Sequence, residues 1–188
     1  KLSPKRWQPM RKDICDKLNR NKFIRTAEIL ETSYSRSDII FLQEVAGNFD
    51  IKVKNRSLNQ KFFDIIGSHI APTDRDQNSF ILLQKNKFIN INEITKDIMI
   101  VLNEQANLNQ KSVPVSPGDL LVITANGKDN NIKYVLASFH GDTNGLATIP
   151  VVNAVNEYIK KHLSLDYKLL FGMDANTYTI PDSDQQGV

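Results

Sequence analysis

The sequence predicts an α/β protein whose strands form one mixed sheet or two packed sheets, with helices on the outside. Along the chain a helical pattern comes first, followed by several short strands, a hairpin, a second helix and a last strand. Of the 188 residues, 40% are hydrophobic and 24% are charged, which is typical of a globular protein with a sizeable core. No apolar run approaches the roughly 18 residues of a membrane-spanning helix.

Apolar residues at helical spacing predict the first helix. Ile24, Ala27 and Leu30 recur on one side of an amphipathic segment over residues 22–34. The short apolar run Ile39–Leu42 then has the length and the residue types of a buried strand. We therefore expect the chain to enter the core at this strand.

Several later segments have the length and composition of strands. They are Phe62–Gly67, Ser79–Gln84, Phe88–Ile94, Asp119–Ala125 and Ile132–Phe139. The last two flank Asn126-Gly127, which is a strong turn signal, and we therefore predict that they form a hairpin.

The apolar spacing becomes helical again after Pro150. One stripe of the predicted helix consists of Val152, Val155, Ile159 and Leu163. Thr148 is predicted to cap its amino terminus, and Pro150 suits its first turn. A last short strand is predicted over Lys168–Gly172, and a polar tail follows it.

Charge is unevenly distributed along the chain. The net charge is +3, but residues 1–36 hold ten Lys or Arg and four acidic residues, a balance of +6, which leaves −3 on the other 152 residues. A basic segment beside an acidic body could hold a polyanion such as nucleic acid, although a solvated helix face is the simpler interpretation. The single cysteine, Cys15, excludes an internal disulfide and favours a reducing, intracellular compartment.

Three apolar strands end in polar groups of one chemical kind. The polar groups that follow the strands are Gln43-Glu44, His140-Gly141-Asp142 and Asp174-Ala175-Asn176. Each could be an ordinary turn or cap, but three in one chain favour a function. Neighbouring strands bring their ends to the same edge, so these groups are expected to meet. Carboxylates suit Mg²⁺, which takes few protein oxygens and keeps several waters, and the imidazole and carboxamide suit a phosphate.

At these residues the sequence resembles the endonuclease/exonuclease/phosphatase superfamily, the relatives of deoxyribonuclease I. DIIFLQEV over residues 38–45 is similar to the family's strand that ends in the metal-binding glutamate. FGMDAN over 171–176 resembles the family's GDFN motif, and SFHGD over 138–142 occupies the place of its histidine-bearing segment. The order and spacing agree from about residue 22 to 178.

This resemblance implies a deoxyribonuclease I-like, four-layer α/β sandwich of two packed mixed β-sheets flanked by helices. It also implies metal-dependent cleavage of phosphate esters. Glu44 would bind Mg²⁺, or Mn²⁺ as an alternative. Asp174 would orient and deprotonate the attacking water or assist the metal. Asn176 and His140 would contact phosphate oxygens.

Three further residues are candidates for contact with the substrate. Asn78 precedes a strand and could reach the phosphate, or it could cap the strand edge. Asp142 and Asn144 follow His140 in a turn-like segment, where a loop at the rim would touch the substrate.

The sequence departs from the family pattern at three places. Met173 separates Gly172 from Asp174, whereas the family has glycine directly before the aspartate. The family's first strand, which ends in an asparagine, has no counterpart, and no Ser-Asp-His motif occurs, because the histidines are His69, His140 and His162. We therefore expect residues 1–188 to be a single domain of this kind, and a fragment that lacks both segments.

The resulting functional prediction is a Mg²⁺-dependent phosphodiesterase, most simply a nuclease whose partner is nucleic acid. Within the same superfamily, an inositol-phosphate phosphatase or a sphingomyelinase-like lipid hydrolase is the alternative, with a phosphorylated small molecule or a phospholipid as substrate. A non-catalytic domain that binds a polyanion or a protein partner is the alternative of a different class.

Overall fold

Two β-sheets pack face to face, with helices on both outer faces, in the computed structural model of the chain. The structure describes residues 7–20, 22–46, 48–68, 77–110 and 112–177. Among the described residues, no helix is both long and apolar enough to cross a membrane.

The elements follow one another with short connections. In chain order they are α1 Trp7–Arg20, α2 Lys22–Ser33, β1 Ile39–Val45, α3 Phe49–Val53, a π-helical turn Leu58–Phe62, β2 Phe63–Gly67, β3 Asn78–Gln84, β4 Phe88–Glu93, α4 Thr95–Leu108, β5 Leu120–Gly127, β6 Lys133–His140, α5 Thr148–His162 and β7 Tyr167–Asp174.

The strands form two sheets of different pairing. In the first sheet the order is β1-β3-β2, and both pairs are antiparallel. In the second sheet the order is β4-β5-β6-β7, where β6 and β7 are parallel and the other pairs antiparallel. Helix α5 connects the two parallel strands, as parallel pairing requires a long crossover.

Three apolar clusters divide the molecule into four layers. Between the sheets lie Ile81, Leu83, Leu121, Ile123, Ala125 and Leu136. A second cluster joins the first sheet to α2 and α3, and a third joins the second sheet to α4 and α5. The predicted four-layer sandwich of two packed sheets flanked by helices is confirmed.

The predicted strands are all present with small shifts of their ends, but α4 is absent from the sequence-based prediction. Its centre is the uninterrupted apolar run 98–102, which hides the helical period. In the structure only Ile98 and Leu102 of this run are fully buried, and Ile100 is exposed. Ile98 and Leu102 lie one helical turn apart and are buried against the outer face of the second sheet. This contact defines the inner side of the helix.

The predicted hairpin is β5 and β6, although its turn lies further along the chain. Asn126 still pairs with Lys133, and Gly127 pairs with Phe88 of β4. The strong turn signal is therefore part of β5, because β4 lies beside it and continues the sheet. Residues 128–132 make the turn.

An ion pair ties α2 to the segment before the π-helical turn. Arg56 Nη2 donates to Glu31 Oε2 at 2.7 Å, Arg56 Nε donates to Glu31 Oε1 at 3.2 Å, and the Leu58 amide donates to Oε1 at 2.9 Å. The hydrogen bond from the Arg56 side chain holds the pKa of Glu31 below its ordinary value of 4.5, against the effect of burial. Charge-assisted bonds of this kind are among the stronger ones in proteins.

We expect Glu31→Gln to lower the free energy of unfolding at neutral pH by about 1–3 kcal/mol, since it removes a charge-assisted pair. Because the pKa of Glu31 is lowered in the folded state, this stabilisation is present above its ordinary pKa and is lost as the pH falls through the folded-state pKa. The difference between wild type and variant should therefore shrink below pH 4.5. Urea unfolding at a series of pH values measures it.

The matched control is Glu28→Gln, an exposed carboxylate on the same helix that acts on Arg56 only through longer-range charge. It should change the free energy of unfolding by no more than about 0.5 kcal/mol. Equal losses from the two variants, or a loss in Glu31→Gln that does not vary with pH, would contradict the prediction.

Candidate active site

A polar pocket of about 350 Å³ opens at the end of the sandwich where β1, β6 and β7 finish. Five of the seven residues proposed from the sequence line it, namely Glu44, His140, Asp142, Asp174 and Asn176. These residues come from both sheets, so the pocket exists only because the two sheets are aligned at this end.

Glu44 reaches the pocket because β1 contains a bulge. Leu42 pairs with Phe80 and Val45 pairs with Asn78, so two residues of β1 oppose one residue of β3. Ile40 and Leu42 pack on the helical side of the first sheet, and simple alternation would send Glu44 there too. Val45 takes that place instead.

The backbone of Glu44 is left-handed, with a φ of 55°. This region costs an L-residue with a Cβ on the order of 1 kcal/mol, and glycine is the residue that usually occupies it. The bulge therefore costs local stability and turns the Glu44 carboxylate toward the other sheet. Strained backbone of this kind clusters at functional sites.

His140 is the residue that Glu44 meets across the two sheets. Its Nε2 lies 3.7 Å from Glu44 Oε1 and 3.3 Å from Asn176 Nδ2. The ring is largely buried, whereas the Glu44 side chain is 53% exposed. The His140 amide donates to the Asp119 carbonyl at 2.9 Å, which fixes the end of β6 against the segment before β5.

Asp174 lies beside His140 because β6 and β7 are parallel and in register. The two residues are direct partners in the ladder, so both strands present their last residue at one edge. Asp174 Oδ1 accepts a hydrogen bond from the backbone amide of Asn176 at 3.2 Å, which closes a small turn. The extra residue Met173 is accommodated as a normal, partly exposed position of β7.

Asn176 also adopts a left-handed conformation, with a φ of 48°. Asn tolerates this region better than most residues. Its Nδ2 donates to the Gly141 carbonyl at 2.7 Å, and this hydrogen bond holds the side-chain carboxamide beside His140. A Cβ on Gly141 would lie 2.7 Å from the Ala175 carbonyl oxygen, so glycine lets the two loops approach this closely.

Asp142 lines the pocket and also builds the loop before α5. Its two carboxylate oxygens accept hydrogen bonds from the amides of Asn144 at 3.1 Å and Ala147 at 2.8 Å. The predicted cap at Thr148 is wrong, because α5 begins at that residue and its hydroxyl donates to the Ala175 carbonyl at 2.8 Å instead.

The structure places Asn78 and Asn144 outside the residues that line the pocket. Asn78 is buried, its Nδ2 donates to the Val45 carbonyl at 3.1 Å, and its Oδ1 accepts from Ser68 Oγ at 3.4 Å. Its side chain therefore supports the strand that carries the Glu44 bulge.

One wall of the pocket consists of residues that were not predicted from the sequence. Gln77, Pro114, Ser116 and Asp119 also line it. Asp119 is buried, and its Oδ2 accepts a hydrogen bond from the Ser116 amide at 2.7 Å. The Pro117-Gly118-Asp119 turn before β5 was the available signal, but only the fold places that turn beside β6.

The donor groups of the pocket suit a hard cation with few protein ligands. Among the described residues, no group of three or more His, Cys, Asp or Glu is placed to hold a metal ion together. Glu44 and Asp174 are exposed carboxylates that face the pocket. This set fits an ion such as Mg²⁺, which binds one or two carboxylates and retains waters, and it does not fit a four-ligand structural zinc site.

The charged groups of the described pocket lining are mostly acidic. They are the carboxylates of Glu44, Asp119, Asp142 and Asp174, and the only basic side chain in this lining is His140. A phosphate would be repelled by such a lining unless a cation compensated the charge.

No protein-family model matches the sequence, and no curated protein matches it. Among solved structures, the fold is similar to that of D. rerio TDP2 complexed with a single-strand DNA product, at 15% identity and a TM-score of 0.54, over 85% of this chain and 55% of that one. It is also similar to the human Nocturnin catalytic domain with bound sulfate, at 13% identity and a TM-score of 0.53, over 83% and 57% of the two chains.

A third similar structure is an endonuclease/exonuclease/phosphatase family protein from Bacteroides thetaiotaomicron. It shares 18% identity with a TM-score of 0.54, over 87% of this chain and 58% of that one. The chain therefore has the deoxyribonuclease I-like fold and spans between 55% and 58% of the length of these three structures. The resemblance predicted from the motifs is confirmed at the level of the fold.

We expect Glu44→Ala to weaken Mg²⁺ or Mn²⁺ binding by more than about 10-fold, because Glu44 is the half-exposed carboxylate that β1 presents to the pocket. Titration calorimetry with each metal measures the change. Glu104→Ala, which removes an exposed carboxylate from α4, is the control and should leave the affinity unchanged. Unchanged affinity in Glu44→Ala would place the ion elsewhere.

Proposed function

We propose that this chain is a metal-dependent hydrolase of phosphate esters, and more specifically a Mg²⁺-dependent phosphodiesterase that acts on nucleic acid, with Mn²⁺ as an alternative ion. The observation that carries the proposal is the convergence of Glu44, His140, Asp174 and Asn176 on one pocket. Three strands of the two sheets supply Glu44, His140 and Asp174, and Asn176 follows the last of these strands.

The acidic pocket itself supports a requirement for a cation. Glu44 is proposed to hold the ion, with Asp174 as the second available carboxylate. When bound, the ion would compensate the negative charge of the lining and withdraw charge from a phosphoryl oxygen.

The chain's own side chains divide the remaining tasks. Asp174 is proposed to orient the attacking water and to accept its proton at a carboxylate oxygen, or else to assist the ion. His140 and Asn176, whose ring and amide nitrogens lie 3.3 Å apart, are proposed to contact phosphate oxygens. Donors held in place before the reaction stabilise charge that develops there.

Nucleic acid is the proposed substrate for two reasons. One of the similar structures, D. rerio TDP2, is complexed with single-strand DNA product. In addition, residues 1–36 carry an excess of positive charge, +6, which would attract a phosphate backbone. Of this segment, the structure describes α1, α2 and residues 34–36.

A non-catalytic role in binding a polyanion is the second candidate, and the excess of positive charge over residues 1–36 favours it, because attraction to a polyanion needs no catalytic group. Among the described residues, His140 is the histidine that lines the pocket, and His162 lies at the end of α5. His69 lies outside the described residues.

We expect Asp174→Asn to lower kcat by about 10²- to 10⁴-fold, because the amide keeps the shape of the side chain but cannot accept the water's proton. The assay is product release from a nucleic acid, a phosphoinositide and a choline phospholipid in the presence of Mg²⁺. Asp166→Asn is the control, because Asp166 precedes the opposite end of β7 and pairs with Lys133 at 3.0 Å. It should retain the wild-type kcat.

If only the phosphoinositide or only the phospholipid is hydrolysed, the activity is that of the corresponding phosphatase or lipid hydrolase and not that of a nuclease. Absence of activity on all three substrates in the full-length protein, with polyanion binding retained, would favour the binding role over the enzyme.

We expect replacement of Lys5, Arg6 and Arg11 by Gln to weaken binding to long polyanions while kcat changes little. Each lost phosphate contact reduces the slope of log affinity against log salt by about 0.7–0.9, so three lost contacts flatten it by about 2–3. The control removes the same charge from the exposed residues Lys96, Lys128 and Lys160. An equal effect in both triple variants would mean that total charge, and not the first segment, governs binding.

A further inference from the structure

A polar bridge joins the two sheets near the strand ends that carry the pocket residues. Gln43 Nε2 donates to Ser138 Oγ at 3.0 Å and to the Gly172 carbonyl at 3.3 Å. Ser138 Oγ in turn donates to the Leu42 carbonyl at 3.2 Å. One side chain of the first sheet is thereby hydrogen-bonded to two adjacent strands of the second.

The bridge lies at the polar end of an interface that is mostly apolar. Ile39 and Phe41, which precede Gln43 on the same face of β1, pack in the apolar cluster between the sheets. Apolar contacts are not directional and fix the alignment of two sheets only loosely. Hydrogen bonds have defined lengths and angles, so the Gln43 bridge adds a specific register at the end where the pocket lies.

Each strand of the bridge carries a site residue one or two positions further on. Glu44 follows Gln43, His140 follows Ser138 by two positions, and Asp174 follows Gly172 by two. Two positions on a strand correspond to about 6.6 Å. The bridge therefore holds the three strands close to their last residues.

Close packing beside the bridge makes it possible. A Cβ on Gly172 would lie 2.3 Å from the Phe41 ring, so β1 and β7 approach each other at a distance that only glycine permits. This approach brings the Gln43 amide within reach of the Gly172 carbonyl.

We infer that Gln43 is a positioning residue for the candidate active site. Its amide fixes the bulged end of β1 on β6 and β7 and so holds the Glu44 carboxylate beside His140. The part that concerns catalysis rests on the function proposed above, whereas the positioning of Glu44 and His140 does not.

The kinetic test compares two substitutions of Gln by Met in the full-length protein. Gln43→Met removes the amide and should lower kcat by on the order of 10- to 100-fold with KM within about 3-fold, because displaced groups lose alignment in the transition state. Gln84→Met is the matched control at the far end of β3, where the side-chain oxygen is buried without a hydrogen-bond partner among the described residues. It should leave both constants unchanged.

Ser138 supplies the variants that distinguish alignment from general destabilisation. Ser138→Ala should lower kcat, and Ser138→Thr should restore it because the hydroxyl is kept. Combining Ser138→Ala with Gln43→Met should cost less than the product of the two separate losses, since the two side chains share one hydrogen bond of the bridge. Losses that multiply, or a wild-type kcat in Gln43→Met, would overturn the inference. Should Gln43→Met fail to fold, the two Ser138 variants carry the same comparison.

A spectroscopic measurement tests the positioning without activity. The NMR signal of the His140 ring, assigned by its absence in His140→Gln, should move in Gln43→Met and remain unchanged in Gln84→Met. An unchanged ring signal in Gln43→Met would overturn the inference. If the wild type hydrolyses no phosphate ester, the proposed function fails, and the ring signal still decides whether Gln43 positions the site.

Discussion

The alignment of two sheets at one end of the sandwich is the constraint on which the rest of the candidate site depends. Apolar side chains hold the sheets together over most of their area, but they do not specify how the ends meet. Hydrogen bonds do so at this end. Besides the Gln43 bridge, Ser79 Oγ of β3 donates to the Asp119 carbonyl at 2.7 Å, and that carbonyl also accepts the His140 amide. These contacts set the relative positions of the pocket residues.

Much of this arrangement could be predicted from the sequence. The apolar runs before Glu44, His140 and Asp174 mark strands, and strand ends carry side chains to a common edge. The parallel register of β6 and β7 confirms that expectation for His140 and Asp174. Their roles in catalysis remain predictions.

What could not be predicted depends on contacts between distant segments. The motif does not indicate the bulge at Glu44. In a strand with regular alternation, Glu44 would lie on the opposite face of the sheet. The wall around Asp119 and the helix α4 depend on where the second sheet lies, and no local pattern encodes that position. Asn78 is also a polar residue at a strand end, but it lies outside the pocket lining. It supports the bulged strand through its hydrogen bond to the Val45 carbonyl.

The left-handed backbone of Glu44 and Asn176 has a consequence for engineering this chain. An optimisation guided by backbone strain alone would select glycine at both positions, because glycine adopts these angles without a steric penalty. Each replacement would relieve the fold of a local cost and delete a side chain from the pocket. Relief of local backbone strain and the chemistry proposed for the pocket are therefore opposed at these two positions, and an optimisation of backbone geometry should leave them untouched.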